Sequence, residues 1–532
     1  MELDHALRDW TALLGQSRAL GAAAAQADYG RCTTGIGRRI AGALRPHERG
    51  QIPAIVAIAA RFKVPLYPVS TGHNWGYGTA LPVTDDCVVL DLSGLDRIVD
   101  FDPGNGLVTV EPGVTQGRLA NFLDQGGHPY LVPVTGAGPS CSLIGNALER
   151  GYGITPHADH FGAVMTLEAV LADGRVYRSA LSGINGEPLD RAFKWGIGPY
   201  LDGIFSQSGF GIVTEMSIAL ARRPDGIKAF LFGLKREERL GELVARVREV
   251  LARYPGVVGG INLMNAHRVL AMAVPYPRER LGPDGLIPPG LLSDLGRENQ
   301  VSPWTGFGTL YGSRGVVAAA QREIRAILRP LASRLIFVGP AGASTLARLG
   351  RLLPGRYRSR YARSLDMLER SLQLVAGRPN ETALPLCYWL SGRKAPADAA
   401  MDPARDACGV TWYAPLVPMQ PERVAAYLRM VTAIMREYRL EPLITLTSVS
   451  DRCFDSTVPL LFDLDSEASR ENAGRCYWAL LEAGRGQGFL PYRVGIQTMG
   501  WLSENDSTYW QLVRQIKKAL DPAAILSPGR YV

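Results

Sequence analysis

Glycine in this chain gathers directly after apolar, strand-like runs, and that placement constrains the fold more than any other feature. At 64–78, VPLYPVS reads as a short buried strand. It runs into the loop Thr71-Gly72-His73-Asn74-Trp75-Gly76-Tyr77-Gly78. Glycines at 72, 76 and 78 let the backbone turn with its N–H groups converging, a nest that takes phosphate oxygens without lysine; a plain glycine-rich turn is the alternative for the loop taken alone. A second cluster, TGAGPSCSLIGNALERGYG, fills 135–153. GxGxxG is missing, which excludes an ordinary Rossmann binder, and so are GxxxxGK[ST], HExxH and GxSxG.

Periodicity orders the rest. IPAIVAIAARF (52–62) is an amphipathic helix, CVVLDL (87–92) and GLVTVEP (106–112) are strands, and VTQGRLANFLDQGG is a helix. The β-branched stretches 163–178 and 211–220 close an α+β unit near residue 222. Residues 1–50 read as helical. From 227 to 488 apolar strands alternate with Arg/Glu-rich helices such as PERVAAYLRMVTAIMREY (421–438), and the tail carries a helix and a Pro/Gly-terminated end. The predicted division is 1–222, 223–488 and 489–532.

With 532 residues and 46% hydrophobic composition, the chain is a globular protein of several domains. No apolar run reaches the ~18 residues of a membrane span, and the start lacks a signal-peptide core, so a cytoplasmic protein is expected. The net charge of +8 is spread along the chain; the densest basic run, Arg356 to Arg363, interleaves Arg with Tyr but is too short to predict a nucleic-acid partner. Seven cysteines without a CxxC predict neither disulfides nor a zinc site. His157, Asp159 and His160 have near-ligand spacing, and a structural turn is expected there instead of a metal.

PVSTGHNWGYG, VEPGVT, SLIGNALERGYG, PYLDGIFSQSGFGIVTE and DPAAILSPGRY follow one another in this order, with a weaker GRPNETALPLCYWLSGR at 377–393. Together they resemble the vanillyl alcohol oxidase and p-cresol methylhydroxylase family of flavoproteins. The resemblance implies an α+β fold: a PCMH-type FAD-binding domain built from both chain ends, with an inserted cap whose antiparallel sheet covers the isoalloxazine. It assigns FAD binding to Ser70, Thr71, Gly72, His73, Asn74, Trp75, Gly76, Gly78, Pro139, Ser140, Gly145, Asn146, Gly211, Ile212, Val213 and Arg530. It also implies that Tyr77, Tyr492 and Arg493 hold a substrate phenolate, from which hydride leaves the benzylic carbon to give a p-quinone methide. A guanidinium and two phenol hydroxyls suit that task by lowering the substrate's pKa.

This sequence departs from the pattern in three places. The family's water-activating aspartate falls at Ala137, and a pocket tyrosine falls at Ile154. Without that carboxylate, loss of CO2 from a tyrosine-derived acid, giving an alkene, suits the site better than hydroxylation. The cap histidine for covalent flavin attachment falls at Val410, whereas His73 stands where a related branch links its flavin; one covalent bond through His73 is expected, with a non-covalent histidine as the alternative, and none through Cys141. The resemblance further implies a small phenolic substrate, dioxygen as electron acceptor and a homodimer. An alcohol or carbohydrate oxidase of the same fold, or a silent flavin-binding protein, are the competing readings.

Overall fold

The computed structural model describes residues 2–340, 342 and 366–532; the Arg356–Arg363 run lies outside them. Two small sheets form the first part of the chain. The first has strands β1 (Ala19–Gly21), β2 (Ile40–Leu44), β3 (Leu66–Val69) and β4 (Cys87–Asp91), in the order β1-β2-β4-β3. Both β2 and β3 run parallel to β4. Two strands thus lie in the region expected to be helical: ALG and IAGAL carry little β-branched signal, and the pairing of IAGAL with CVVLD and of ALG with IAGAL decides their conformation. The helix Ile52–Phe62 matches expectation, burying Ile52, Ile55, Val56 and Ala59 at helical spacing against this sheet.

The second sheet is antiparallel. It is built from β5 (Ile98–Asp102), β6 (Leu107–Val110), β8 (Val164–Val170), β9 (Val176–Arg178) and β10 (Ile212–Ala219), in the order β5-β6-β10-β8-β9. A two-stranded ribbon, β7 (Tyr130–Leu131) with β11 (Ala221–Arg222), leads out of it.

Beyond Arg222 lies one antiparallel sheet of eight strands: β12 (Gly226–Leu234), β13 (Val258–Asn265), β14 (Trp304–Gly312), β15 (Ala332–Val338), β16 (Gly409–Tyr413), β17 (Leu416–Pro418), β18 (Thr445–Ser448) and β19 (Cys453–Phe462). Helices Leu240–Arg253, Arg314–Leu328, Pro421–Glu437 and Glu467–Gln487 bury their apolar stripes in the core it shares, around Phe230, Phe232, Tyr427 and Phe454.

The tail then returns to the first sheet. Leu526 bridges Leu66 in parallel, Leu66 N donates to Ile525 O at 2.7 Å, and Ser527 N donates to Leu66 O at 2.8 Å. Lys517 pins this return: its buried Nζ donates to Gly209 O, Leu526 O and the Asp521 carboxylate at 2.6–2.7 Å.

Candidate active site

The loop after β3 bends where only glycine fits. Gly76 has φ +77, and a Cβ there would lie 2.1 Å from Cδ1 of Trp412 on β16, so the loop and the eight-stranded sheet pack backbone to ring. Across from it Ser142 caps the helix Leu143–Leu148, accepting from Gly145 N at 3.0 Å. A Cβ on Gly145 would lie 2.3 Å from Ser70 Oγ, so the two glycine clusters meet. Between them, the tail and the large sheet lies a cavity of about 430 Å³.

Ser70, Thr71, Gly72, His73, Asn74, Trp75, Gly145, Asn146, Gly211, Val213 and Arg530 all line this cavity. The other residues assigned to the cofactor from sequence stand behind its wall. Gly76 lies against Trp412, Gly78 against Ile496, Ile212 is in the core under the helix Ile52–Phe62, and Pro139 O accepts from Gly117 N. Ser140 offers its backbone to His73.

Tyr77 and the distant pair Tyr492-Arg493 line the same cavity. The Arg493 guanidinium carbon sits 4.0 Å from the Tyr77 ring centroid, and its Nη2 donates to Asn74 Oδ1. Burial raises both tyrosines: Tyr77 well above its ordinary range, and Tyr492 to about 12, with Arg493 pulling each the other way. Both therefore keep their protons at neutral pH and can donate to an anionic oxygen. Burial disfavours the Arg493 charge, yet its pKa still lies above the ordinary value, so the guanidinium stays protonated.

Three side chains of this cluster were not singled out from the sequence. Glu149 bridges two cations, with Oε2 3.4 Å from Arg493 Nε and Oε1 bound by Arg530 Nη2. Gln207 Nε2 donates to Tyr492 O at 3.0 Å and to Glu149 O at 3.3 Å, tying the tail to the loop after residue 201. Asp455, on β19, is fully buried and neither carboxylate oxygen has a partner; burial pushes it well above the usual carboxylate range, favouring the neutral acid. With Asp455 neutral, two arginines against one glutamate leave the cluster a net positive charge. The only cue to Glu149 was its place inside SLIGNALERGYG, and Asp455 reads locally as one polar position in a strand.

His73 stacks on Trp75 at 4.8 Å, and its buried Nδ1 has no partner. Burial lowers its pKa, leaving a neutral imidazole with a free nitrogen at the cavity wall. The orphaned nitrogen, the glycine-walled cradle and the cationic end fit FAD. Ala137 also lines the cavity, packed with Trp75, Leu384 and Ala404; Val410 is buried in β16, and Ile154 turns its carbonyl to the Tyr311 hydroxyl. Asn146 donates to Nδ1 of His160, which is buried, and no cluster of three potential metal ligands occurs among the described residues. His267 pairs in the core with Glu441 at 3.3 Å.

Residues 40–180 match the model of an FAD binding domain, and 417–531 that of the FAD linked oxidases, C-terminal domain. The chain is 34% identical over 99% of its length to the 1'-carboxy-chondrochloren decarboxylase of Chondromyces crocatus, covering 97% of that protein. It is 27% identical over 90% of its length to the 4-cresol dehydrogenase [hydroxylating] flavoprotein subunit of Pseudomonas putida, covering 85% of that protein. Substrate-bound p-cresol methylhydroxylase superposes over 100% of this chain and 96% of its own with a TM-score of 0.87 at 24% identity; a 4-ethylphenol oxidase from Gulosibacter chungangensis superposes over 100% and 97% at 0.87 and 23%. The chain belongs to the p-cresol methylhydroxylase and vanillyl alcohol oxidase family and is an FAD-dependent oxidoreductase.

Proposed function

We propose that this enzyme oxidises a 4-hydroxyphenyl compound bearing a carboxylate one carbon beyond the benzylic position, and releases CO2 and an alkene. The observation that carries the reading is the buried cluster of Arg493, Tyr77 and Tyr492, whose positive charge no described carboxylate fully cancels. Tyr77 and Tyr492 donate to the substrate oxygen and Arg493 neutralises it, so the phenol is held as phenolate and its electrons are pushed toward the para carbon. FAD, when bound by the residues around the loop 70–78, supplies the two-electron acceptor for the benzylic hydride. The substrate is left as a p-quinone methide. Ala137 places no base beside it, so water is not activated there. The bond pair to the carboxylate carbon then becomes the new double bond, CO2 departs, and the ring oxygen recovers its negative charge against Arg493. Dioxygen reoxidises the enzyme in this reading. The division at residues 222 and 488 follows it too, with the eight-stranded sheet as the cap.

The C. crocatus relative carries decarboxylase in its name, which supports CO2 loss. The test is anaerobic mixing of the holoenzyme with 4-alkylphenols, N-acyl tyrosines and their O-methyl ethers. Bleaching of the flavin by free phenols only, with CO2 and an enamide from the N-acyl tyrosine, is the expected result. Bleaching by ethers or sugars, or a hydroxylated product that keeps the carboxylate, would overturn it.

A further inference from the structure

Arg268 is a third arginine at the cavity, beside Arg493 and Arg530, and nothing in the site so far uses it. It stands on the helix Ala266–Ala273, which Asn265 caps by accepting from Arg268 N at 3.0 Å, so the backbone fixes where the side chain starts. Its Nε donates to Thr445 Oγ1 at 3.0 Å and its guanidinium carbon lies 5.8 Å from the Trp412 ring. Nη1 is sealed from solvent without a partner, and among the described residues no carboxylate pairs with this arginine. The nearby thiol of Cys387 cannot serve, since burial pushes its pKa up to about 12. Burial lowers Arg268 itself to about 10, so it is charged at neutral pH. A buried guanidinium with a free N–H is costly unless something anionic meets it.

Residues of the large sheet lie near both arginines. On β19, Asp455 and Thr457 stand two residues apart on one face, a separation of about 7 Å. Asp455 feels the charge of Arg493 without a hydrogen bond to it, and Thr457 lies opposite Thr445, the residue that accepts from Arg268. Arg493 and Arg268 line one cavity and give it two cationic stations, with Thr457 lining it beside the Arg268 partner Thr445.

We propose that Arg268 is the carboxylate-recognition residue: its planar fork binds the acid group of a phenolic acid whose other end sits on Tyr77, Tyr492 and Arg493. This rests on the phenolic-acid reading above and adds the group that selects acids over neutral phenols, since the fork geometry of arginine matches a carboxylate. Arg268 also holds the acid ionised, the form from which CO2 can leave.

The test is calorimetric binding to chemically reduced holoenzyme, which cannot turn over, using N-acetyltyrosine and N-acetyltyramine, identical but for the carboxylate. The native enzyme should prefer the acid roughly ten- to a hundredfold, as expected for a charge-assisted pair. Arg268→Met should erase the preference while its affinity for N-acetyltyramine stays within about threefold. Arg268→Lys, which keeps charge but not the fork, should fall between. Equal affinities in the native enzyme, or a preference that survives Arg268→Met or is undiminished in Arg268→Lys, would overturn the assignment. Failure of decarboxylation registers elsewhere, as an acid that binds through Arg268 yet bleaches no flavin or releases no CO2.

Discussion

Replacing Arg493 by methionine isolates the electrostatic part of phenol activation. Its guanidinium carbon lies 4.0 Å from the Tyr77 ring centroid, so an anionic oxygen bound in the cluster feels a full charge at a similar distance. At about 4 Å and an effective dielectric near 20, that attraction is about 4 kcal/mol, or close to three decades in the phenolate population. Glu149 Oε2, 3.4 Å from Arg493 Nε, offsets some of it, which brings the expected loss to about 10²- to 10³-fold. The variant should fold, because Glu149 keeps its second partner, Arg530, and no buried carboxylate is stranded. The assay is anaerobic stopped-flow reduction of the flavin by a 4-alkylphenol between pH 6 and about 10, where free phenols ionise. In the native enzyme the rate should change little with pH. In Arg493→Met it should start low and climb up to about tenfold per pH unit as phenolate forms in solution. A loss under about threefold, or a flat pH profile in the variant, would refute the phenolate reasoning.

Ala137→Asp returns a carboxylate to the cavity wall, and the product mixture by mass spectrometry should shift from CO2 loss toward the hydrated alcohol; an unchanged mixture would mean the position does not choose the outcome. His73→Ala should release the yellow colour on acid precipitation, while the native protein keeps it; colour lost from both would show a non-covalent flavin. Gly76→Ala forces a Cβ into the Trp412 ring at a φ of +77, and about 2–4 kcal/mol of stability should go, read as a lower thermal midpoint. Burial lowers His160 to about 3 from an ordinary value near 6.5, so between those values the unfolded chain binds the proton and stability falls as pH drops, by about 1 kcal/mol per unit. His160→Gln should flatten that acid limb of the denaturation midpoint, and an equally steep limb would show that His160 does not cause it.

Local chemistry made part of this site legible. The strand-then-glycine pattern at 64–78 foretold the loop, and the Tyr-Arg pair at 492–493 could be joined to Tyr77 through a resemblance that spans the chain. What sequence missed is tertiary in origin. ALG and IAGAL become strands only through pairing with their neighbours. Asp455 occupies a position that alternation treats as merely polar, and its neutrality arises from burial in the folded chain. Arg268 follows a histidine in an ordinary amphipathic helix, and the missing partner that marks it out appears only when the cavity closes.

The returning tail has a consequence for biogenesis. Strand β3 and the glycine loop are translated before the large sheet, yet Leu66 finds Ile525 and Ser527, and Glu149 finds Arg493 and Arg530, only after that sheet has been made. A nascent chain emerging N-terminus first must hold its early half open through all of that synthesis. Capture of the dinucleotide therefore waits for residues 493–530 to be made, and flavin scarcity should leave its signature as protein whose returning segment has not locked, with residues 508–530 the first to be cut by a protease.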